Sequence, residues 1–404
     1  MKKSVVITGL GILSSIGNGK KEFLQGLLEA RCGTDKVQSF DIEEYPVQVG
    51  AEIKDFSVES FSIEELNEED ITVQKAICAA KEAVEEANLL AHYHPFEIGV
   101  SIATSLGGVT SRENYYRQLK ENQDADFNLI LNVPTSCIAG SIGDYFKVYG
   151  PHYTVVTACA AGGNALGIAR DLIADGKAKA MIAGGVDPFS AVSFSGFTVL
   201  RSLSPATTRP FNKDRDGLTL GEASAFLILE EKESAIARGA HIYAELLGYG
   251  ISNDAYHMTS PDPEGGGAYR SMVMALEEAG LTPEQIDYIN AHGTGTPYND
   301  QMELKTIERL FGEALLQVPI SSSKSQFGHT LGTAGAIEAV VCALAISEGF
   351  VPPSINFTNP LDEKYNFVPN QSQEKEVNYA LSNSFAFGGN TATLVLGKYI
   401  GEAG

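Results

Sequence analysis

Short apolar runs alternate along this chain with segments of helical period. The first part carries SVVITG, EIGVSIATS, YTVVTA, KAMIAGG and SAFLILE; the second carries IYAELLGYG, IDYINAHG, VPISSS, YALSNSF and TATLVLG. Each run reads as a strand, and Val73 to Ala87 and Ala268 to Ala279 read as helices. The strands are apolar without alternation, so a sheet built from them needs cover on both faces. Helices supply that cover, which predicts an α/β class with largely buried strands. The stretch TGLGILSSIG is read as a first strand's end and a glycine-rich turn. It matches GxG but not GxGxxG, and no acidic residue follows at the distance a nucleotide ribose needs.

Two long segments echo each other. YTVVTACAAGGNALGIARDLIADG and VPISSSKSQFGHTLGTAGAIEAVVCALAISEG share an apolar strand, a short polar turn, a Gly/Ala-rich helix start and a terminal glycine. The helical stripe is Ala165, Ala169, Leu172 and Ile173 in one, and Ile337, Val340, Val341 and Leu344 in the other. The echo suggests a duplicated α/β unit, with one half at 1–240 and the other at 241–404.

Composition narrows the class of function. A chain of 404 residues, 44% hydrophobic and 20% charged, builds one large unit or two fused core layers. No Pro/Ser-rich linker interrupts it, and no run is read as crossing a membrane. Its five cysteines, Cys32, Cys78, Cys137, Cys159 and Cys342, are scattered without a CxxC. That pattern fits a reducing cytoplasm and neither a disulfide framework nor a zinc site. A formal charge of −22 excludes nucleic acid as a partner, since phosphates need a basic footprint. The acidity concentrates in ESFSIEELNEED, Glu59 to Asp70, while Arg201, Arg209, Lys213 and Arg215 gather in one short stretch.

Three local patterns carry chemistry. Cys159 falls where a strand gives way to a helix, so the helix N-terminus would lower its thiol pKa, and the small residues from Ala160 to Gly163 would leave room for a substrate. The alternative is a buried cysteine packed as a small hydrophobe. His292 follows the strand IDYI in NAHGTGTPYND, either as a site residue or as a turn histidine. Thr294 and Thr296 beside it offer hydroxyls to an amide-bearing substrate or to the turn itself. His329, in KSQFGHTLG, is expected in the same relative place as Cys159 in the echoed segment, with Lys324 and Glu338 near enough to share a polar network. No GxSxG elbow, HExxH or P-loop is present, and the histidines and cysteine lack metal-ligand spacing.

Taken together, these motifs resemble the β-ketoacyl-[acyl carrier protein] synthases of the elongating Cys-His-His type. The resemblance runs through TGLGILSSIGNG, TACAAGGNALG, RSLSP, RPFNKDRDG, GEASAFLILEE, SNDAYHMTSPDPEGGGA, NAHGTGTPYND, KSQFGHTLGTAGAIE and NSFAFGGNTATLVLG, essentially the whole chain. It implies the thiolase fold, two α/β halves in five α-β-α-β-α layers. It implies that Cys159 takes an acyl chain as a thioester and that His292 and His329 support loss of carbon dioxide from a malonyl thioester. The backbone N–H groups of Cys159 and Phe387 would form the oxyanion hole. Lys324 and Glu338 would support His329, with Asp300 joined to Lys324. Thr294 and Thr296 would bind phosphopantetheine amides, Phe387 and Phe197 would gate the site, and Leu106 would control the acyl pocket. The implied partners are an acyl carrier protein, docked through Arg201, Arg209, Lys213 and Arg215, and a second subunit. That subunit is either another copy or one resembling a chain-length factor. No cofactor beyond the carrier's phosphopantetheine and no metal is implied.

Relatives of other types fit less well. Initiating synthases use Cys-His-Asn, thiolases carry a second late cysteine, and chain-length factors lack the nucleophile. The chain departs from the family pattern in three places. ELNEEDITVQK is acidic where a basic stretch is common, Ala386 stands in FAFGG where glycine is usual, and HGTGT replaces a more familiar serine. These departures keep two alternatives in view: a specialised type II polyketide or polyene ketosynthase that needs a partner, and a non-catalytic length-setting subunit.

Overall fold

The apolar runs become strands of a sheet whose two faces are covered by helices. The computed structural model describes residues 2–67, 69–121 and 124–401. Strands β1 (Val5–Ser14), β2 (Ile98–Ala103), β3 (His152–Val155), β4 (Ala180–Asp187) and β5 (Ala223–Glu231) lie in the order β3-β2-β4-β5-β1. β2 runs parallel to β3 and β4, and β5 runs antiparallel to β4 and β1. Strands β6 (Ala244–Asn253), β7 (Tyr288–Asn290), β8 (Ile320–Ser321), β9 (Tyr379–Phe385) and β10 (Asn390–Gly397) repeat that plan as β8-β7-β9-β10-β6. Their parallel and antiparallel pairings match as well. The two sets join where Val6 pairs with Glu245 and Ile7 with Ala244, linking β1 to β6.

Seven helices position the site. These are α1 (Ile71–Glu86), α2 (Ser136–Phe146), α3 (Ala161–Ala174), α4 (Ala191–Val199), α5 (Gly266–Ala279), α6 (Pro297–Phe311) and α7 (Ala334–Glu348). Six build the layers, and α4 carries Phe197 to the cavity wall. Two of the six, α3 and α7, touch each other between the two strand sets. Helices α1 and α2 cover the outer face of the first set, and α5 and α6 that of the second. The result is five layers, α-β-α-β-α.

Three sequence readings change here. TGLGILS is strand, not turn: β1 continues through it to Ser14. Gly11 is there because a Cβ would stand 1.9 Å from the Ala79 carbonyl of α1, so the helix backbone lies directly on the strand. The small residues after Cys159 serve helix packing rather than substrate access. A Cβ on Gly162 would stand 2.4 Å from the Ala336 nitrogen, and one on Gly335 2.4 Å from that of Gly163. The starts of α3 and α7 therefore meet backbone to backbone. Packing also answers the membrane question for α7. Leu331–Glu348 is long and apolar enough by composition to cross a bilayer, contrary to the sequence reading, but it is 89% buried within the protein.

The acidic stretch forms two single-turn helices, Val58–Phe61 and Glu64–Leu66. Asp70 then caps α1, accepting from the Thr72 N–H at 2.8 Å. Glu59, Glu64, Glu65 and Glu69 are exposed; Glu68, like 402–404 of the second half, lies outside the described residues.

Candidate active site

Cys159 sits in a tight turn, Ala158–Ala160, between β3 and α3. Ala158 takes the left-handed conformation at φ 50°, an uncommon state for a residue with a Cβ, and this sharp corner sets the thiol at the helix start. The helix start does not leave it a thiolate. Burial pushes the thiol up to about 12, outweighing the charge of Lys324 and the backbone N–H groups of Cys159 and Phe387, which favour the anion. Those are the two N–H groups expected at the oxyanion hole.

The two histidines line the same cavity as Cys159. Their rings stand edge to face, with centroids 5.4 Å apart. Nδ1 of His329 accepts from the Leu331 N–H at 3.1 Å, and Nδ1 of His292 lies 3.3 Å from Nζ of Lys324. Both contacts occupy Nδ1 as an acceptor, so the proton of each ring is on Nε2. Burial holds both imidazoles well below their usual range, with the charge of Lys324 adding to it. The site thus holds two neutral N–H donors. A carbonyl oxygen placed between the rings would be stabilised as it gained negative charge.

Lys324 is buried and ion-paired with Glu338. Burial raises the Glu338 carboxyl to about 7, against the pull of Lys324. Asp300 does not join them. Its carboxylate accepts from Phe211 N–H at 2.8 Å and Gly295 N–H at 3.2 Å, and Arg215 lies 3.8 Å away. It braces the loop that carries Thr294 and Thr296, because the first turn of α6 directs it toward that loop. Glu303, one turn further along α6, is the residue that the sequence reading missed. It accepts from the N–H groups of His292 and Gly293, each at 2.8 Å, and so fixes the backbone that carries His292. Burial raises it to about 7. Its spacing of three from Asp300 on one helix was the available signal.

The cavity encloses about 200 Å³ and is lined by Cys159, His292, His329, Thr294 and Thr296. The two threonine hydroxyls are 2.9 Å apart at its wall. Phe197 of α4 and Phe387 stack across it, centroids 5.8 Å apart. Leu106 is not part of its lining. It is half-buried in an apolar cluster with Phe194, Leu331 and Phe197, the last being one of the stacked pair. Ala386 stands at φ −132°, an extended conformation open to any residue, so the observed loop does not call for glycine there. The left-handed positions are Gly388 and Gly389.

His329 is not the positional counterpart of Cys159. Leu331, at φ 51°, opens the turn before α7 as Ala158 opens the turn before α3, and this register sets Gly332 opposite Cys159. His329 reaches the cavity from three residues earlier. The four basic residues separate too. The Arg215 side chain is 7% exposed and donates to the carbonyls of Asn212, Thr296 and Pro297, which removes it from any docking surface. Arg209 pairs with Asp216. Arg201 and Lys213 are exposed and make no ion pair among the described residues, and Arg201 lies between Leu200 and Ser202 at the cavity wall.

Comparison with known proteins gives this geometry a family. Models of the beta-ketoacyl synthase N-terminal and C-terminal domains match residues 2–235 and 243–358. A 3-oxoacyl-[acyl-carrier-protein] synthase 2 of Synechocystis sp. is 42% identical, over 98% of this chain and 99% of that protein. One of Staphylococcus aureus is 40% identical over the same shares. Among solved structures, the ishigamide ketosynthase/chain length factor has a TM-score of 0.92 at 35% identity, covering 99% of this chain and 100% of that one. A type II PKS acyl-carrier protein in complex with its ketosynthase bound to the hexaketide scores 0.91 at 32% identity, with the same coverage. The five layers are the thiolase fold that the resemblance implied. With the N-terminal model alone spanning more than half of it, the chain belongs to the β-ketoacyl synthase family.

Proposed function

We propose that this protein condenses an acyl group, held as a thioester on Cys159, with malonyl-acyl carrier protein. The sulfur attacks the acyl thioester carbonyl; the pantetheine thiol leaves with the proton that Cys159 gives up. The malonyl group then loses carbon dioxide, and the enolate oxygen is held by Nε2–H of His292 and His329. The enolate carbon attacks the acyl-Cys159 carbonyl, a C–C bond forms, the C–S bond breaks, and the thiolate takes up a proton. The product is a 3-ketoacyl-acyl carrier protein longer by two carbons. Curated relatives named 3-oxoacyl-[acyl-carrier-protein] synthase 2 support the reaction.

One observation carries the residue roles: a buried thiol and two neutral imidazoles share one cavity, and the backbone N–H groups of Cys159 and Phe387 favour the thiol's anion. Removing one oxyanion donor of this kind typically costs ~10²–10³ in rate. Thr294 and Thr296 bind the phosphopantetheine amides, Phe197 and Phe387 gate the acyl group, and Lys324 with Glu338 supports the histidines. The reaction needs no metal or cofactor beyond the carrier's own arm. Its setting is the cytoplasm. The halves 1–240 and 241–404 descend from one duplicated unit, a reading supported by the strand order that recurs in both.

The test is product mass spectrometry with acyl- and malonyl-loaded carrier protein. Wild-type protein is expected to form the 3-ketoacyl product and to be labelled on Cys159 by cerulenin, and Cys159→Ala to do neither. Condensation by Cys159→Ala would assign the nucleophile elsewhere.

A second subunit belongs to this reading. β3 is an edge strand, with Tyr153 and Val156 exposed beside it, and such an edge is open to pairing with another sheet. Solved relatives include ketosynthases with chain length factors, which favours an unlike partner in a polyketide system as the second reading. The mass of the purified chain separates the two: a stable, active homodimer excludes the need for an unlike partner.

A further inference from the structure

The turn before α7 repeats the turn before α3, yet the two are filled differently. In the first, the loop after β9 brings the Phe387 N–H near enough to Cys159 to favour its anion. In the second, the strand that matches β9 is β4, and its last residue, Asp187, lays a carboxylate on the Gly332 N–H at 2.6 Å. The place taken by reactive sulfur in one half is therefore met by a fixed internal anion in the other.

Asp187 is fully buried and has no cation partner among the described residues. Its charge is met by donors alone. Oδ1 accepts from the Thr104 hydroxyl at 2.8 Å, from Ser105 N–H at 2.9 Å and from Leu106 N–H at 2.8 Å. Oδ2 holds Gly332, next to Leu331, whose own N–H binds Nδ1 of His329. One carboxylate thus ties the loop after β2, with Leu106 on it, to the turn that orients His329. Leu331 stays left-handed at φ 51° only while the turn on both sides of it is held.

We propose that Asp187 is a positioning residue for the condensation: through Leu331 and Gly332 it fixes the proton of His329 on Nε2, and through the Thr104–Leu106 loop it holds Leu106 in the apolar cluster on which Phe197 of the gate also packs. The proposal rests on the condensing function proposed above. It separates Asp187 from a purely structural carboxylate, because it links one residue to two different steps.

Two variants test it. Asp187→Asn keeps the size but turns one acceptor into a donor facing an N–H. Thr104→Val removes the hydroxyl that donates to Oδ1 and accepts from the Gly107 N–H, and leaves the Gly332 bond in place. The measurements are carbon dioxide release from malonyl-acyl carrier protein without an acyl primer, and Cys159 acylation by long and by short acyl carriers. For Asp187→Asn, kcat of release is expected to fall roughly tenfold with KM within about twofold, and the long-to-short acylation ratio to move at least about threefold. Thr104→Val is expected to move that ratio while release stays near wild type. Folded Asp187→Asn with release and ratio both within about twofold of wild type would overturn the proposal. Should Asp187→Asn not fold, an unchanged ratio in Thr104→Val overturns it. A wild-type protein that releases no carbon dioxide would instead sink the condensing reading on which it rests.

Discussion

Burial decides the ionisation of the side chains that face the cavity. The thiol of Cys159 is pushed up to about 12, so it reacts as a thiol whose proton must leave during acyl transfer. Both imidazoles are held neutral, chiefly by burial. Protonating His329 at Nδ1 would also set a proton against the Leu331 N–H. The imidazoles should therefore impose no acid limb on carbon dioxide release at their ordinary pKa of about 6.5. Glu338 and Glu303, both raised to about 7, and Asp187, raised to about 6, are buried neighbours whose titration masks this in a rate profile. The ring NMR signals of His292 and His329 report on the imidazoles alone, and are expected to keep the neutral form from about pH 8 down to about pH 6. An inflection near about 6.5 in either ring would mean that an imidazole takes up its proton in the ordinary range.

The central helices work as one element. Their starts touch through Gly162, Gly163, Gly335 and Ala336, and the turn before α3 carries Cys159. A methyl group here cannot be absorbed by a side chain, because backbone stands opposite it. Gly335→Ala is expected to cost about 1–3 kcal/mol in denaturant unfolding, by forcing the two helices apart. Because Cys159 lies at one helix start, the same variant should slow cerulenin labelling. Unchanged stability would mean that the helices separate freely, against the packing described. The gate loop behaves differently: Ala386 is extended and unstrained, so its place in FAFGG needs no special backbone.

At the scale of the whole molecule, charge is the controlling feature. A protein of formal charge −22 repels an acidic carrier over most of its surface, and the exposed glutamates before α1 add to that. Of the four basic residues in the sequence cluster, only Arg201 and Lys213 are free to attract it. Arg201→Glu with Lys213→Glu is expected to raise KM for malonyl-acyl carrier protein roughly tenfold at low ionic strength while kcat holds. The gap should narrow with added salt, as screening removes both attraction and repulsion. A KM that did not move would assign docking to another surface or to the second subunit.

Much of this protein was legible in its sequence, and the physical reasons are specific. Unbroken apolar strands called for helices on both faces, and the repeated strand, turn and glycine-rich helix start pointed to two like units. Cys159, His292 and His329 stood out because each follows a strand in a turn rich in small residues, and the cavity gathers all three. What sequence could not decide was set by groups far apart in the chain. The glycines of TGLGILS resemble a turn until α1 is seen lying on them. Arg215 resembles a surface charge until its guanidinium is found on the carbonyls of the next half. Asp300 and Glu303 exchange their expected importance because the direction of α6 aims one at the threonine loop and the other at His292. Local pattern determined which elements form and which residues are reactive by type. Only tertiary packing decided their protonation and their partners, because desolvation and hydrogen bonding depend on every neighbour in space rather than on neighbours in sequence.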